Sequence, residues 1–312
     1  MKNIRRIPLG DPSRVEQLFA KMSLEIWCCR YWCLREWECN ETAFPYWRIY
    51  WNKNEGGMIT YQGKIIEMKK ENAYIIPPHT FFRSHIKGSR KKMKGLNVVG
   101  REVRKEENEG SLLGSHILHL FVHFNLGVLF DHINPDVFEI PLENDQLRQL
   151  EKLAHLLKNT TITNGKPQEF ETTHNFLIQS IVYGILVGVP KKVWQTTALD
   201  NRVSDVVHYI ENNIGHNFSN TELAQFCHIT TNSLVRLFKE EKGIAIQKYI
   251  RQRKIARAHT LLEHTRHSIE TIAELLGYAN RYHFSRVFKS ITGNTPAQLR
   301  KGSLLKMGNK LG

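Results

Sequence analysis

Between residues 43 and 142 the apolar positions fall in short runs broken by Gly, Pro and Asn. "YWRIYW" (46–51) is aromatic and β-branched, "NKNEGG" is turn chemistry, and "MITY" and "KIIEM" flank the turn-like pair Gln62 and Gly63. "AYIIPPHT" (73–80) reads as a strand halted by two prolines, which cannot donate to a ladder. "HILHLFVHFNLGVLF" (116–130) is another long β-compatible stretch, and "VFEIPL" (137–142) closes the series. Many short strands between turns predict a sandwich or barrel of the jelly-roll kind. The period then changes. Leu147, Leu150, Leu153, Ala154 and Leu157 recur at three and four, which predicts an amphipathic helix over 144–159 capped by Asn144. A second helix is expected after Pro167, through Phe170, Phe176, Leu177, Ile181 and Ile185. From Arg202 onward the pattern is helical, with breaks at 212–220, 229–231, 243, 264–268 and 277–280 that delimit about seven short helices.

The expected class is therefore α+β. Residues 1–142 form the β domain, 143–190 supply helices that pack on it or on a partner chain, and 191–201 link to an all-α domain over 202–301. Residues 302–312 are a tail.

Among these C-terminal helices a single phrase occurs twice. "SLVRLFKEEKG" (233–243) and "HFSRVFKSITG" (283–293) share Arg236, Phe238, Lys239 and Gly243 with Arg286, Phe288, Lys289 and Gly293. Extended upstream, each gives a short helix, a tight turn at 228–230 or 277–280, and a second helix capped by Thr230 or Asn280. That is the helix-turn-helix pattern, whose second helix enters the major groove of DNA. Two in tandem carry far more weight than one. Between them, a helix over about seventeen residues of 244–265 spans roughly 25 Å, against about 34 Å between successive major grooves on one face of the duplex. Lys248, Arg251, Arg253, Lys254 and Arg257 crowd this helix, so some face phosphates or solvent.

Charge points the same way. The 312 residues carry a formal net charge of +14, and from Asn201 onward 17 Lys/Arg stand against 8 Asp/Glu. The basic excess thus concentrates in the last third, where a polyanion would bind. The N-terminal residues lack the apolar core of a secretory signal, and the longest apolar run (176–190) is too short to span a bilayer. A cytoplasmic, nucleoid-associated protein without a membrane partner is expected. No P-loop, G-x-S-x-G or H-E-x-x-H motif occurs.

Residues 203–301 resemble the DNA-binding domain of the AraC/XylS family of bacterial transcription regulators, through "SLVRLFKEEKG", "YIRQRKIARAHTLL" and "SIETIAELLGYANRYHFSRVFKSITGNTPAQLRK" with its Gly293-x-Thr295-Pro296 ending. The N-terminal strands resemble, more loosely, the cupin-like sensing domain of many members. The resemblance implies a ligand-responsive activator of catabolic or stress genes, working as a homodimer on double-stranded DNA and touching RNA polymerase. It implies base reading by the early part of each second helix, here Asn232, Ser233, Val235 and Arg236, then Arg281, Tyr282, His283, Ser285 and Arg286, with Lys239 and Lys289 on the same helices. Arg236 and Arg286 suit bidentate contacts to guanine. Lys254 departs from the usual Arg, His283 from a frequent Tyr, and Leu299 from an aromatic.

Two side-chain groups tempt a different reading. Cys28, Cys29, Cys33 and Cys39 lie close together, but their spacing does not supply the two compact pairs of a structural zinc site. On a strand, Cys28 and Cys29 face opposite ways, as do His116 and the pair His119 and His123. No metal, cofactor or catalytic residue is expected from these patterns. The alternative is a cupin-type metal enzyme or thiol redox sensor with an accessory DNA-binding domain. For a small-molecule effector, a sugar being one candidate, the aromatic-rich stretch offers Trp32, Trp37, Trp47 and Trp51, with Tyr46, Tyr50 and His79, as flat stacking surfaces, of which Trp32, Trp47, Trp51 and His79 are nominated.

Overall fold

The computed structural model describes residues 22–89, 95–103, 105, 108–112, 116–131, 133–159, 168–194 and 200–301. The beginning of the expected β domain, some of the linker and the tail lie outside the described residues. The strands are β1 (Glu25–Thr42), β2 (Trp47–Asn52), β3 (Gly57–Tyr61), β4 (Lys64–Glu67), β5 (Asn72–Ile76), β6 (Phe82–Ile86), β7 (Gly95–Glu102), β8 (Ile117–Asn125) and β9 (Phe138–Pro141). They form one antiparallel sheet in the order β4-β3-β6-β1-β8-β2-β5-β9, with β7 also on β1. The series thus begins earlier than the turn pattern suggests. β1 has no Gly or Pro to punctuate it, and its 18 residues pair successively with β8, β7 and β6. Bulges between Ile26 and Cys28 and between Leu34 and Glu36 bend it, so the sheet curls.

Both faces of the curled sheet are covered, which is why all six residues of β2 are buried. Trp47, Ile49 and Trp51 point to a core completed by α2 (Asn144–Asn159) and α3 (Thr172–Leu186), with Leu150, Leu153, Ala154, Leu157, Ile178, Ile181 and Ile185. The two helices therefore pack on their own sheet. The cap of α2 is one residue earlier than the sequence suggests: Leu147 N–H donates to the Glu143 carbonyl, and Glu143 N–H donates to Gln146 Oε1. The side chain of Gln146 reaches back over the helix start and takes the role expected of Asn144. The other face of the sheet carries Leu34, Trp37, Cys39, Phe44, Tyr46 and Tyr50. A single turn, α1 (Val128–Asp131), follows β8; Asp131 accepts from Trp47 Nε1 at 2.9 Å and from the Leu126 N–H at 3.0 Å.

The remainder is helical: α4 (Asn201–Asn212), α5 (Asn220–Phe226), α6 (Thr231–Lys242), α7 (Ile246–His264), α8 (Ile269–Leu275), α9 (Arg281–Thr292) and a last helix α10 over 296–301. α7 serves two cores. Its first half gives Ile246, Tyr249 and Ile250 to a cluster with Leu223, Leu234 and Phe238, and its second half gives Ile255, Ala258, Leu261 and Leu262 to one with Ile272, Phe284 and Phe288. Among the described residues, no helix is long and apolar enough to cross a membrane.

Candidate nucleic-acid interface and an interdomain cavity

The repeated phrase builds the same local structure twice. Ser219 and Ser268 cap α5 and α8, accepting from the Glu222 and Thr271 N–H groups. Thr230 caps α6 by accepting from Ser233 N–H, and Asn280 caps α9 by accepting from Tyr282 and His283 N–H, as the sequence predicts. Phe238 and Phe288 are fully buried, and Gly243 (φ 70°) and Gly293 (φ 78°) end their helices in the left-handed conformation. The shared Phe and Gly are therefore structural, whereas Arg236, Lys239, Arg286 and Lys289 are exposed.

The turn between the paired helices is not built alike. Its left-handed position is Gly277 (φ 70°) in the second unit and His228 (φ 56°) in the first. Gly277 also lies against the Gly215 carbonyl, where any Cβ would collide. Asn217 donates to the Gly277 carbonyl at 2.9 Å and accepts from Lys254 Nζ at 2.8 Å. Lys254 is therefore a buried structural residue.

Asn232, Arg236, Arg281, Tyr282, His283 and Arg286 are exposed on the outer faces of α6 and α9, while Ser233, Val235 and Ser285 are half-buried. Val235 also packs against the first helical core, and Ser233 Oγ accepts from Thr230. Tyr282 is 66% exposed, a large aromatic left outside any core. Arg281 donates to its hydroxyl at 2.8 Å and lies 3.7 Å from Glu270; Arg236 lies 4.0 Å from Glu240. Such exposed pairs contribute little and exchange readily for phosphate. The basic run on α7 divides. Arg253 pairs with Glu211 at 2.6 Å, and Arg257 donates to both Glu25 oxygens at 2.6 and 3.0 Å while stacking over Trp27. Lys248 and Arg251 stay exposed.

The Arg257 pair is one of several contacts between the sheet and α7. Tyr46 OH donates to Glu263 Oε2 at 2.7 Å, and His123 and His264 meet edge to face at 5.2 Å. Between these elements lies a cavity of about 180 Å³ lined by aromatic rings from β1, β2 and β8. Arg48 points into it from the middle of β2, only 1% exposed. Its guanidinium lies 3.9 Å over the Phe44 ring and 4.8 Å over Phe82, and Nη1 donates to Tyr50 OH at 3.5 Å. Nε and Nη2 have no hydrogen-bond partner among the described residues. A cation so buried costs several kcal/mol, on the order of the penalty for an uncompensated buried ion.

Of the aromatic residues offered as stacking surfaces, Trp32, Trp37, Tyr46 and Tyr50 line this cavity. Trp47 and Trp51 lie on the helix-covered face, their indole N–H groups donating to Asp131 and to the Lys70 carbonyl, and His79 sits exposed in a turn. Arg48 and His264 were not evident as site residues from the sequence. A lone Arg inside the otherwise apolar "YWRIYW" was the available signal.

Burial lowers the basicity of the cavity histidines: His119 to about 3, His264 to about 4, and His123 well below its usual range, so all are neutral rings at physiological pH. Burial alone would raise Glu263, but His259, His264 and the Tyr46 hydroxyl outweigh it and hold the carboxyl at about 2. Burial also pushes the Cys28 thiol up to about 11, and the Cys29 thiol further. Protonated thiols are poor nucleophiles, which weighs against a redox-sensing role for this pair.

Comparison with known proteins bears on the helical domain. A family profile described as a helix-turn-helix domain matches residues 223–302. The arabinose operon regulatory protein of Escherichia coli (strain K12) is 33% identical over 105 residues, 33% of this chain and 36% of that protein. The bifunctional transcriptional activator/DNA repair enzyme AdaA of Bacillus subtilis (strain 168) is 35% identical over 108 residues, 34% of this chain and 51% of that protein. The chain thus spans about a third to a half of the length of such relatives. Among solved structures, an AraC-type regulator from Chromobacterium violaceum is 28% identical, covering 33% of this chain and 92% of that one with a TM-score of 0.32. ToxT from Vibrio cholerae is 13% identical and covers 93% of this chain and 100% of that one, with a TM-score of 0.47.

Proposed function

We propose that this chain is a regulator of the AraC/XylS type: a sequence-specific transcription regulator that activates catabolic or stress genes in response to a small molecule, a reading supported by the helix-turn-helix match over residues 223–302 and the likeness to the arabinose operon regulatory protein. The observation that carries this reading is the matched pair α6 and α9, each capped at its start, ended by a left-handed Gly and basic on its outer face. α7, 19 residues and therefore about 28 Å long, joins them at a spacing suited to successive major grooves on one side of the duplex. Asn232, Ser233, Val235, Arg236, Arg281, Tyr282, His283, Ser285 and Arg286 read bases, and Lys239 and Lys289 hold phosphates. Arg286→Ala is expected to cost about 1–3 kcal/mol and to relax selectivity at one base position. A binding-site selection at fixed salt checks this. A uniform loss across sequences, with a salt slope lower by about one, would instead make Arg286 a phosphate contact.

The effector enters the cavity between sheet and α7. Arg48 supplies a buried cationic anchor and the surrounding rings a flat apolar wall, so a small organic carboxylate is favoured. A sugar acid would meet both Arg48 and the stacking surface of Trp32. The effector acts by binding more tightly to one arrangement of sheet and α7 than to another; without that difference it shifts nothing. The cavity is assigned a binding role without a catalytic step.

Homodimerisation is proposed through α3. Its inner face is buried on the sheet, while Phe176 (66% exposed), Tyr183 (38%) and Val187 (84%) form an apolar stripe outside, at spacings of seven and four residues. A second copy of the chain suits that stripe, since two such stripes would bury each other. Val187→Glu is expected to convert the dimer to monomer in sedimentation velocity, with Tm little changed; an unchanged dimer would move the interface elsewhere. Contact with RNA polymerase and action at the nucleoid complete the proposal.

A further inference from the structure

At the α7 end of the cavity three metal-ligating side chains converge from distant regions of the chain. Cys28 of β1 and His123 of β8 are direct cross-strand partners. His264 closes α7 and reaches them from the helical domain. One donor atom from each lies within 4.8 Å of the other two. His123 Nδ1 and His264 Nε2 are buried and have no hydrogen-bond partner among the described residues. Tyr46 stacks on His123 at 4.8 Å and meets His264 edge-on at 5.2 Å.

We propose that Cys28, His123 and His264 form a binding site for a borderline-soft divalent transition metal, of which Zn²⁺ is the best match, and that the bound ion ties the β-sheet to the helix joining the two DNA-reading units. One thiolate and two imidazoles are a donor set that Zn²⁺ takes readily, while Mg²⁺ and Ca²⁺ favour oxygen. Bond lengths of about 2.0–2.1 Å to nitrogen and 2.3 Å to sulfur bring tetrahedral ligands to roughly 3.3–3.7 Å of each other. Rotation of the two imidazoles toward Cys28 suits that closure. Neutral rings offer their lone pairs without losing a proton, whereas the Cys28 thiol gives up its proton as the metal–sulfur bond forms. Arg30 hydrogen-bonds Cys28 and is itself paired with Glu102 at 2.8 Å, and Glu263 lines the same cavity. With three protein ligands the fourth position faces the cavity and is left to water or to an effector atom.

This site uses different atoms from the Arg48 anion site, so each can fail without the other. The test uses full-length protein stripped with a chelator, then titrated with Zn²⁺ and separately with Co²⁺. The expected result is one tightly bound Zn²⁺ per chain and, with Co²⁺, a thiolate-to-metal charge-transfer band in the near ultraviolet. Cys28→Ser is expected to abolish the band. Cys28→Ser and His264→Gln are each expected to weaken Zn²⁺ binding by more than the roughly 10–100-fold cost of losing an outer-shell partner. The band in the wild-type protein is informative even if a variant fails to fold. Its absence, or Zn²⁺ binding equally well to folded Cys28→Ser and His264→Gln proteins, would overturn the proposal and assign the metal to surface histidines.

Discussion

Gly277→Ala is expected to unfold the second DNA-reading unit. The left-handed backbone at Gly277 costs a residue with a Cβ about 1–2 kcal/mol, and the added carbon would overlap the Gly215 carbonyl, which is backbone and cannot turn aside. Moving that carbonyl disrupts the Asn217 bond to Gly277 and with it the seat of Lys254. The total loss is at least about 3 kcal/mol, in the range reserved for strain at a special backbone position. It is read as a lower denaturation midpoint of the helical domain and loss of operator binding. The first unit provides the opposite experiment. His228 holds the same conformation at a cost, so His228→Gly is expected to stabilise by about 0.5–1 kcal/mol. An Ala variant as stable as wild type would show that the two turns tolerate the same residues.

Arg48→Met is expected to raise stability and abolish effector binding together. The guanidinium is buried under Phe44 and Phe82 with two nitrogens unpartnered among the described residues, and Met fills similar volume without a charge to desolvate. Replacing buried charged groups by apolar ones of similar size often stabilises by about 1–4 kcal/mol, and a gain in that range is expected in thermal unfolding without ligand. Thermal shifts with a panel of organic carboxylates then give the second readout. At about a hundred times its Kd, a bound carboxylate should stabilise the wild type by about 2.7 kcal/mol and the variant not at all. A variant that is less stable than wild type, yet still shifted by the same carboxylate, would make Arg48 a packing residue.

Much of the helical domain is legible from local chemistry. Thr230 and Asn280 are capping residues in the right place, Gly243 and Gly293 are the stops, and Phe238 and Phe288 recur at core positions because the same pair of helices is built twice. α2 is equally readable from its three-and-four spacing, with its cap displaced by one residue because Gln146 bonds backward. β1 is harder to read. It has no turn residue to mark its ends, and its bulges reset the alternation, so Cys28 and Trp37 share a face although their numbers differ in parity.

What the sequence by itself determined is therefore what neighbours along the chain set: helix starts and stops, the tandem reading units and the basic C-terminal third. On β2 the alternation of side chains puts Trp47 and Trp51 opposite Arg48 and Tyr50, but does not say which of the two sets faces a helix layer and which faces a cavity. Only the tertiary structure decided that, by packing α2 and α3 on one side of the sheet and the end of α7 on the other. It also brought His264 to Cys28 and His123, residues far apart in the sequence with no shared motif. The physical reason is that metal-ligand and cavity geometry depend on distances through space between elements, and those are fixed by how apolar faces bury one another rather than by any spacing along the chain.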